Sequence, residues 1–95
     1  SGTKLFYSGD FDGKGLSIAL QLLARYPDHL YLWHMTAADY ARCCSDVRLS
    51  EASLALLRTC ANTALAPTAD AIERKGYDGY QELLLSELLA DLIDT

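Results

Sequence analysis

The segment Gly9-Asp10-Phe11-Asp12-Gly13-Lys14-Gly15 places two carboxylates two residues apart, among three glycines and a lysine. In extended backbone, side chains two apart share a face, so Asp10 and Asp12 can converge on one point. A divalent cation is the natural occupant of such a point. Mg²⁺ takes a few carboxylate oxygens and keeps water on its other positions, where phosphate oxygens can replace it. Gly13 and Gly15 permit close backbone approach ahead of a helix N-terminus, which favours anions, and Lys14 is the loop's candidate for a phosphate contact. Together these features point to phosphate chemistry. A plainer reading stays open, in which one aspartate caps the following helix and the glycines make the turn. An EF-hand calcium loop does not fit, because Lys14 falls on a ligand position and Gln21 stands where a bidentate Glu is required.

The elements around this loop place it at the end of a strand. Lys4 to Ser8 is short, apolar and aromatic, and Gly9 interrupts it, which predicts a buried strand followed by a loop over 9–15. Apolar residues crowd most of the helix expected from Leu16 to Arg25, and Pro27 and Asp28 end it. Residues 30–35 (Leu-Tyr-Leu-Trp-His-Met) form a second strand, bulky on both faces as in a covered parallel sheet. Within it, His34 falls on the Leu30 and Leu32 face as a packed histidine. Strand, helix, strand makes a right-handed βαβ unit.

Thr36 with Asp39 is a capping box for a helix over Ala37 to Cys44, and Ser50 starts another with Leu54, Leu57 and Ala61 at helical spacing. Pro67 fits a first helical position and Gly76 the residue past that helix's end. Asp78 with Gln81 reads as the cap of a final helix, with Tyr80, Leu84, Leu88 and Leu92 in one stripe and Leu85 and Leu89 widening it. The expectation is an α/β chain with only two strands, a small parallel sheet covered by helices, and a helical C-terminal half. A parallel pair has two unpaired edges and rarely stands alone, so the chain reads as part of a larger sheet.

With 95 residues the chain holds one domain. No apolar run is long enough to span a bilayer and no secretory signal is visible, so the expected compartment is the cytosol, without a membrane partner. Cys43, Cys44 and Cys60 are an odd number without CxxC spacing, which predicts ordinary thiols rather than a disulfide framework or zinc knuckle. Thirteen acidic residues against eight basic ones give a formal charge of −5, which opposes nonspecific duplex binding by this chain alone.

The segment Tyr7-Ser8-Gly9-Asp10-Phe11-Asp12-Gly13-Lys14-Gly15-Leu16 resembles the Asp-x-Asp segment of Toprim (topoisomerase-primase) domains, in which an apolar strand ends in two metal-binding aspartates and a glycine-containing loop leads into a helix. It is most similar to the branch shared by type IIB topoisomerase A subunits, their meiotic relatives and Wadjet-type nuclease subunits. A narrower resemblance is to a bacterial family with a Toprim-like C-terminal domain, carried by Gly9-Asp10-Phe11-Asp12, Met35-Thr36-Ala37-Ala38-Asp39-Tyr40 and Leu88-Leu89-Ala90-Asp91-Leu92. The resemblance implies a Toprim or Rossmann-like fold over 4–95; Ser1-Gly2-Thr3 ahead of it reads as a remnant or as the product of a cut. It implies that Asp10 and Asp12 bind Mg²⁺ or Mn²⁺ in a phosphodiester-cleaving site, beside the phosphate-facing Gly13, Lys14 and Gly15. It further implies a third acid, a Glu ending an earlier strand that this chain lacks. An upstream domain, another subunit or the second copy in a homodimer would then supply the Glu and the positive surface for nucleic acid. The parent protein would be a metal-dependent nuclease or close relative, and the chain alone inactive.

Two other classes share parts of the pattern. Phosphatases of the haloacid dehalogenase class also begin with an apolar strand and Asp-x-Asp-Gly, and Thr36 could pass for their second motif. Against them, Lys14 replaces the usual Thr or Val, Ser8-Gly9 breaks the apolar run, and no distal acidic pair follows. A non-enzymatic interaction module is the other alternative, with Leu85, Leu89 and Ile93 turned toward a partner rather than the domain's own core. Glu82 and Glu87 read as solvated helix residues.

Overall fold

A computed structural model describes residues 4–81. The first half follows the expected path. Strand β1 is Leu5–Tyr7, helix α1 Gly13–Arg25, strand β2 Leu30–Leu32 and helix α2 Ala37–Cys43. The strands are parallel, with Leu5, Phe6 and Tyr7 opposite Leu30, Tyr31 and Leu32, so the βαβ unit is present in an α/β fold.

Their limits differ from expectation for local reasons. Helix α1 begins three residues early, at Gly13, because Asp12 adopts an extended conformation and caps it. Strand β2 stops at Leu32, and His34 takes a positive φ of 52°, which turns the chain into α2. His34 therefore does not lie on a strand face with Leu30 and Leu32. It is half-buried, with its ring 4.2 Å from that of Trp33 and its Nδ1 3.3 Å from Asp39 Oδ1. The capping box of α2 is formed as read. Thr36 Oγ1 accepts from the Asp39 N–H at 3.1 Å, and Asp39 Oδ2 accepts from the Thr36 N–H at 3.1 Å.

The second half is not wholly helical. Strand β3, Cys44–Arg48, and strand β4, Tyr77–Gly79, form an antiparallel pair that flanks helices α3, Glu51–Arg58, and α4, Ala66–Lys75. Ser50 caps α3 as expected, Pro67 is the second rather than the first residue of α4, and Gly76 ends α4 in the left-handed region. Asp78 lies in β4, and the final helix it was expected to open lies outside the described residues. The expected stripe of Leu84, Leu88 and Leu92, with Leu85, Leu89, Ile93, Glu82 and Glu87, lies outside the described residues.

The polar composition of β3 and β4 gives little intrinsic strand preference, and their pairing is held by tertiary bonds. Tyr40 Oη donates to the Tyr77 carbonyl at 2.6 Å, Ser45 Oγ to the Asp78 carbonyl at 2.7 Å, and the Tyr80 N–H to the Cys43 carbonyl at 3.3 Å. Burial raises the Tyr40 hydroxyl well above its ordinary range, so it remains a donor. Among the described residues the core draws on all four helices: Leu16 and Ala19 from α1, Tyr40 and Cys43 from α2, Leu57 from α3, Ala69 and Ile72 from α4, with Phe11, Met35, Cys60 and Leu65 from the connections. All three cysteines are free thiols. Among the described residues, no helix is long and apolar enough to cross a membrane.

Candidate metal and phosphate site

The segment Asp10-Phe11-Asp12 is organised by its middle residue. Phe11 is fully buried, with its ring 5.7 Å from that of Tyr40, and its backbone exchanges two hydrogen bonds with Gly79, at 2.8 and 3.0 Å. This extended stretch alternates, so anchoring Phe11 inward turns Asp10 and Asp12 outward at the carboxyl end of β1. Gly79 is required by the same packing, since a Cβ there would stand 2.9 Å from the Tyr40 ring and 3.1 Å from Phe11 Cβ.

Both aspartates line one hollow of about 230 Å³, with Tyr7, Lys14, Gly15 and Ile18. Asp10 is exposed and its Oδ1 accepts from the Gln81 N–H at 2.9 Å. Asp12 is half-buried and its Oδ1 accepts from the Gly15 N–H at 2.7 Å, so the capping reading holds for Asp12. Each carboxylate keeps its second oxygen outside these bonds. Gly15 is set close against the loop, because a Cβ at that position would run into the Asp10 carbonyl. The Gly13 N–H donates to Ser53 Oγ at 2.7 Å, which ties the start of α1 to α3. Lys14 is exposed and lines this hollow and a neighbouring one of about 310 Å³, where it meets Asp12, Ser50, Ser53 and Asp78.

Asp78 is the residue that sequence reading missed. It reaches this rim from β4, nearly seventy positions along the chain, and nothing in the local pattern around Tyr77-Asp78-Gly79 signals that placement. Its Oδ1 is enclosed without a hydrogen-bond partner. Burial, and then the charges of Asp12 and Asp10, raise its carboxyl above the ordinary range. The same three causes, in the same order, raise the Tyr7 hydroxyl, which donates to the Gly15 carbonyl at 3.2 Å. The rim is thus a region of crowded negative charge.

Two partly satisfied carboxylates, an enclosed carboxylate oxygen without a partner and a close backbone turn fit a hydrated divalent cation. They do not make a closed cage: among the described residues, no three acidic, imidazole or thiol side chains are placed to hold a metal ion. Such an ion would keep most of its water, and phosphate oxygens could exchange with it. His34 lies apart from the hollow, its ring held by Trp33 and Asp39. Burial works to raise the Asp39 carboxyl, but hydrogen bonds from Thr36 and His34 outweigh it and hold the group below its ordinary range.

Comparison with known proteins adds one relationship. Searches of the curated proteins and of the solved structures give no match. Residues 1–92, nearly the whole chain, match the model of a family described as "Protein of unknown function C-terminus (DUF2399)", and the chain belongs to that family.

Proposed function

We propose that this chain is a Toprim-like domain for phosphodiester cleavage or related nucleic-acid processing, in which Asp10 and Asp12 hold Mg²⁺ or Mn²⁺. The observation that carries the reading is the pair of outward carboxylates at the carboxyl end of a parallel strand, backed directly by the start of α1. That end of an α/β sheet is where ligands are generally taken. When bound, the cation would polarise a phosphoryl oxygen and acidify its water. The chain's own part is to fix two carboxylates about the buried Phe11, to hold the turn tight at Gly15, and to offer Lys14 to a phosphate oxygen. Asp78 adds negative charge that a cation would offset. The net charge of −5 gives this chain little hold on nucleic acid. We therefore place the activity in a cytosolic parent protein, whose other regions or second copy supply further acid and positive surface.

Titration with Mn²⁺, followed by paramagnetic broadening of backbone amides, tests the site. Broadening is expected at Asp10 to Gly15 and is lost in Asp10→Asn and Asp12→Asn. Asparagine caps helices as well as aspartate does, so the Asp12→Asn fold should be nearly as stable, which separates lost charge from a lost cap. No broadening at millimolar metal, or broadening centred elsewhere, defeats the assignment. The activity is tested on supercoiled plasmid with Mn²⁺. The parent protein should nick it, the chain alone should not, and Asp10→Ala/Asp12→Ala in the parent should abolish nicking. Unimpaired cleavage by that variant overturns the reading, and turnover of an aryl phosphate monoester that is lost in Asp10→Asn would replace it with a phosphatase.

A further inference from the structure

The parallel sheet buries one face and presents the other. Tyr7, Leu30 and Leu32 turn toward the core. Phe6 and Tyr31, which are cross-strand partners, and Trp33, two residues beyond Tyr31, turn the other way and are 67%, 48% and 42% exposed. The Phe6 and Tyr31 rings stand 5.7 Å apart and 32° from parallel, and Lys4 Nζ is 5.9 Å from the centre of the Tyr31 ring. Parallel strands that are covered on both faces are rich in Val, Ile and Leu. Here the core face keeps Leu30 and Leu32, whereas the outer face carries three aromatic rings and a cation.

The size of this face speaks against a folded protein as its occupant. At roughly 200 Å² per aromatic side chain, the exposures leave on the order of 300 Å² of aromatic surface. That is less than half of the roughly 800 Å² that each partner contributes to a stable association. Exposed rings with a lysine among them are instead what a nucleic acid takes, since every base has a face to stack and the lysine meets a phosphate. The spacing requires a single strand. Tyr31 and Trp33 are about 6.6 Å apart along their strand, twice the roughly 3.4 Å between neighbouring bases in a duplex, so bases lying on them must be splayed. The net charge of −5 opposes holding a duplex by its phosphates, whereas stacking does not depend on net charge. The row of rings also leads toward the metal rim. The strands are parallel, the Trp33 N–H donates to the Tyr7 carbonyl at 2.8 Å, and Asp10 follows three residues after Tyr7. Lys4 therefore lies at the amino end of the row, and Trp33 at the end where the two carboxylates project.

We propose that Phe6, Tyr31 and Trp33 form a stacking platform for the bases of single-stranded nucleic acid, with Lys4 on a phosphate, so that the Asp10 and Asp12 rim receives its substrate as a single strand. The proposal rests on the reading of this chain as a nucleic-acid-processing domain, but its test needs no metal. Trp33 is the chain's single tryptophan and reports directly. In metal-free, low-salt buffer a short oligodeoxythymidylate should quench its emission saturably, and a duplex of the same length should not. Phe6→Ala and Tyr31→Ala should each weaken binding roughly 5- to 150-fold, the loss of one stacked base. With Lys4 as the phosphate contact, log affinity should fall against log salt with a slope of about −0.7, and Lys4→Ala should flatten it. A circular-dichroism melt checks that the variants fold. If Tyr31→Ala does not melt cooperatively, Tyr31→Leu, which keeps apolar bulk without a ring, is read by the same measure and should shift in the same direction. No quenching at millimolar oligonucleotide overturns the proposal. So do equal quenching by the duplex, a salt slope of several units, and binding that survives both aromatic substitutions in folded variants. A Trp33 already shielded from acrylamide in the chain alone also overturns it, because protein would then cover the face, a second copy if the shielding rises with concentration. Quenching without Mn²⁺ broadening at Asp10 to Gly15 would defeat the metal reading and leave the platform standing; broadening without quenching would do the reverse.

Discussion

Replacing Asp78 by asparagine should stabilise this fold at neutral pH. Asp78 enters the rim from β4 with an enclosed, unpartnered oxygen, and its carboxyl is raised by burial and by Asp12 and Asp10. An acid raised by folding is held more tightly as the protonated form in the native state than in the unfolded chain, which fixes the sign of the effect. Below the unfolded carboxyl's pKa, about 3.9, both states carry the proton and the wild type has no handicap. As pH climbs from there toward the raised native value, the unfolded chain gives up its proton while the native state keeps it, and the penalty grows until Asp78 is ionised in both states. Above that point it is constant.

Asparagine keeps the shape and never charges. An enclosed polar group without a partner costs about 1–3 kcal/mol, and the amide retains an atom in the same position, so about 1 kcal/mol should return. For 95 residues that is a Tm increase of about 4–8 °C. Melts of both proteins in low-salt, metal-free buffer, from about pH 3 to pH 8, should show a Tm difference that opens above about pH 4 and then levels off. Saturating Mn²⁺ should narrow it by screening Asp10 and Asp12. No gain at neutral pH, or a gain equally large at pH 3, would refute the account of a crowded acidic rim.

Other perturbations probe the supports of the same loop. Gly15→Ala should lose about 1–3 kcal/mol in urea unfolding, since its Cβ would strike the Asp10 carbonyl, and should displace the Asp10 amide resonance. Phe11→Ala should lose about 3–5 kcal/mol and, under conditions where it still folds, abolish Mn²⁺ broadening although both aspartates remain. Thr36→Ala should lose about 1 kcal/mol at neutral pH by removing the α2 capping box. Because Asp39 is held low in the native state, its contribution is present above the unfolded carboxyl's pKa and disappears as pH falls through the native value. The deficit of Thr36→Ala should therefore shrink in acid, as equilibrium unfolding across pH would show.

The parts of this fold that sequence reading located are those whose signals are local. The apolar β1 before Gly9, the periodic α1, the capping box at Thr36 and Asp39, the Ser50 cap of α3 and the Gly76 end of α4 each state their structure within a few residues. What it missed depends on distant partners. The β3 and β4 segments have weak strand character of their own and exist because Tyr40 and Ser45 bond to the backbone of Tyr77 and Asp78. The sequence pattern carries β2 too far because Trp33-His34-Met35 remains bulky past Leu32, while the positive φ at His34 leaves no trace in composition. For the site, spacing identified Asp10 and Asp12, but neither the inward anchor at Phe11 nor the arrival of Asp78 is a property of that heptapeptide.

The alternation around Phe11 also bears on how such a sequence can drift. Interior and rim are usually free to vary separately, because several residues of slack lie between a packed ring and a reactive group. Here they are adjacent: one fully buried ring is flanked on both sides by the two outward carboxylates. A neutral exchange of core volume at Phe11, Tyr40 or Gly79 would reposition both acids at once. Selection on the interior and selection on the rim therefore act on a single tripeptide. Variation among natural sequences should be narrower there than in the exposed faces of α3 and α4, even in lineages whose chemistry has changed.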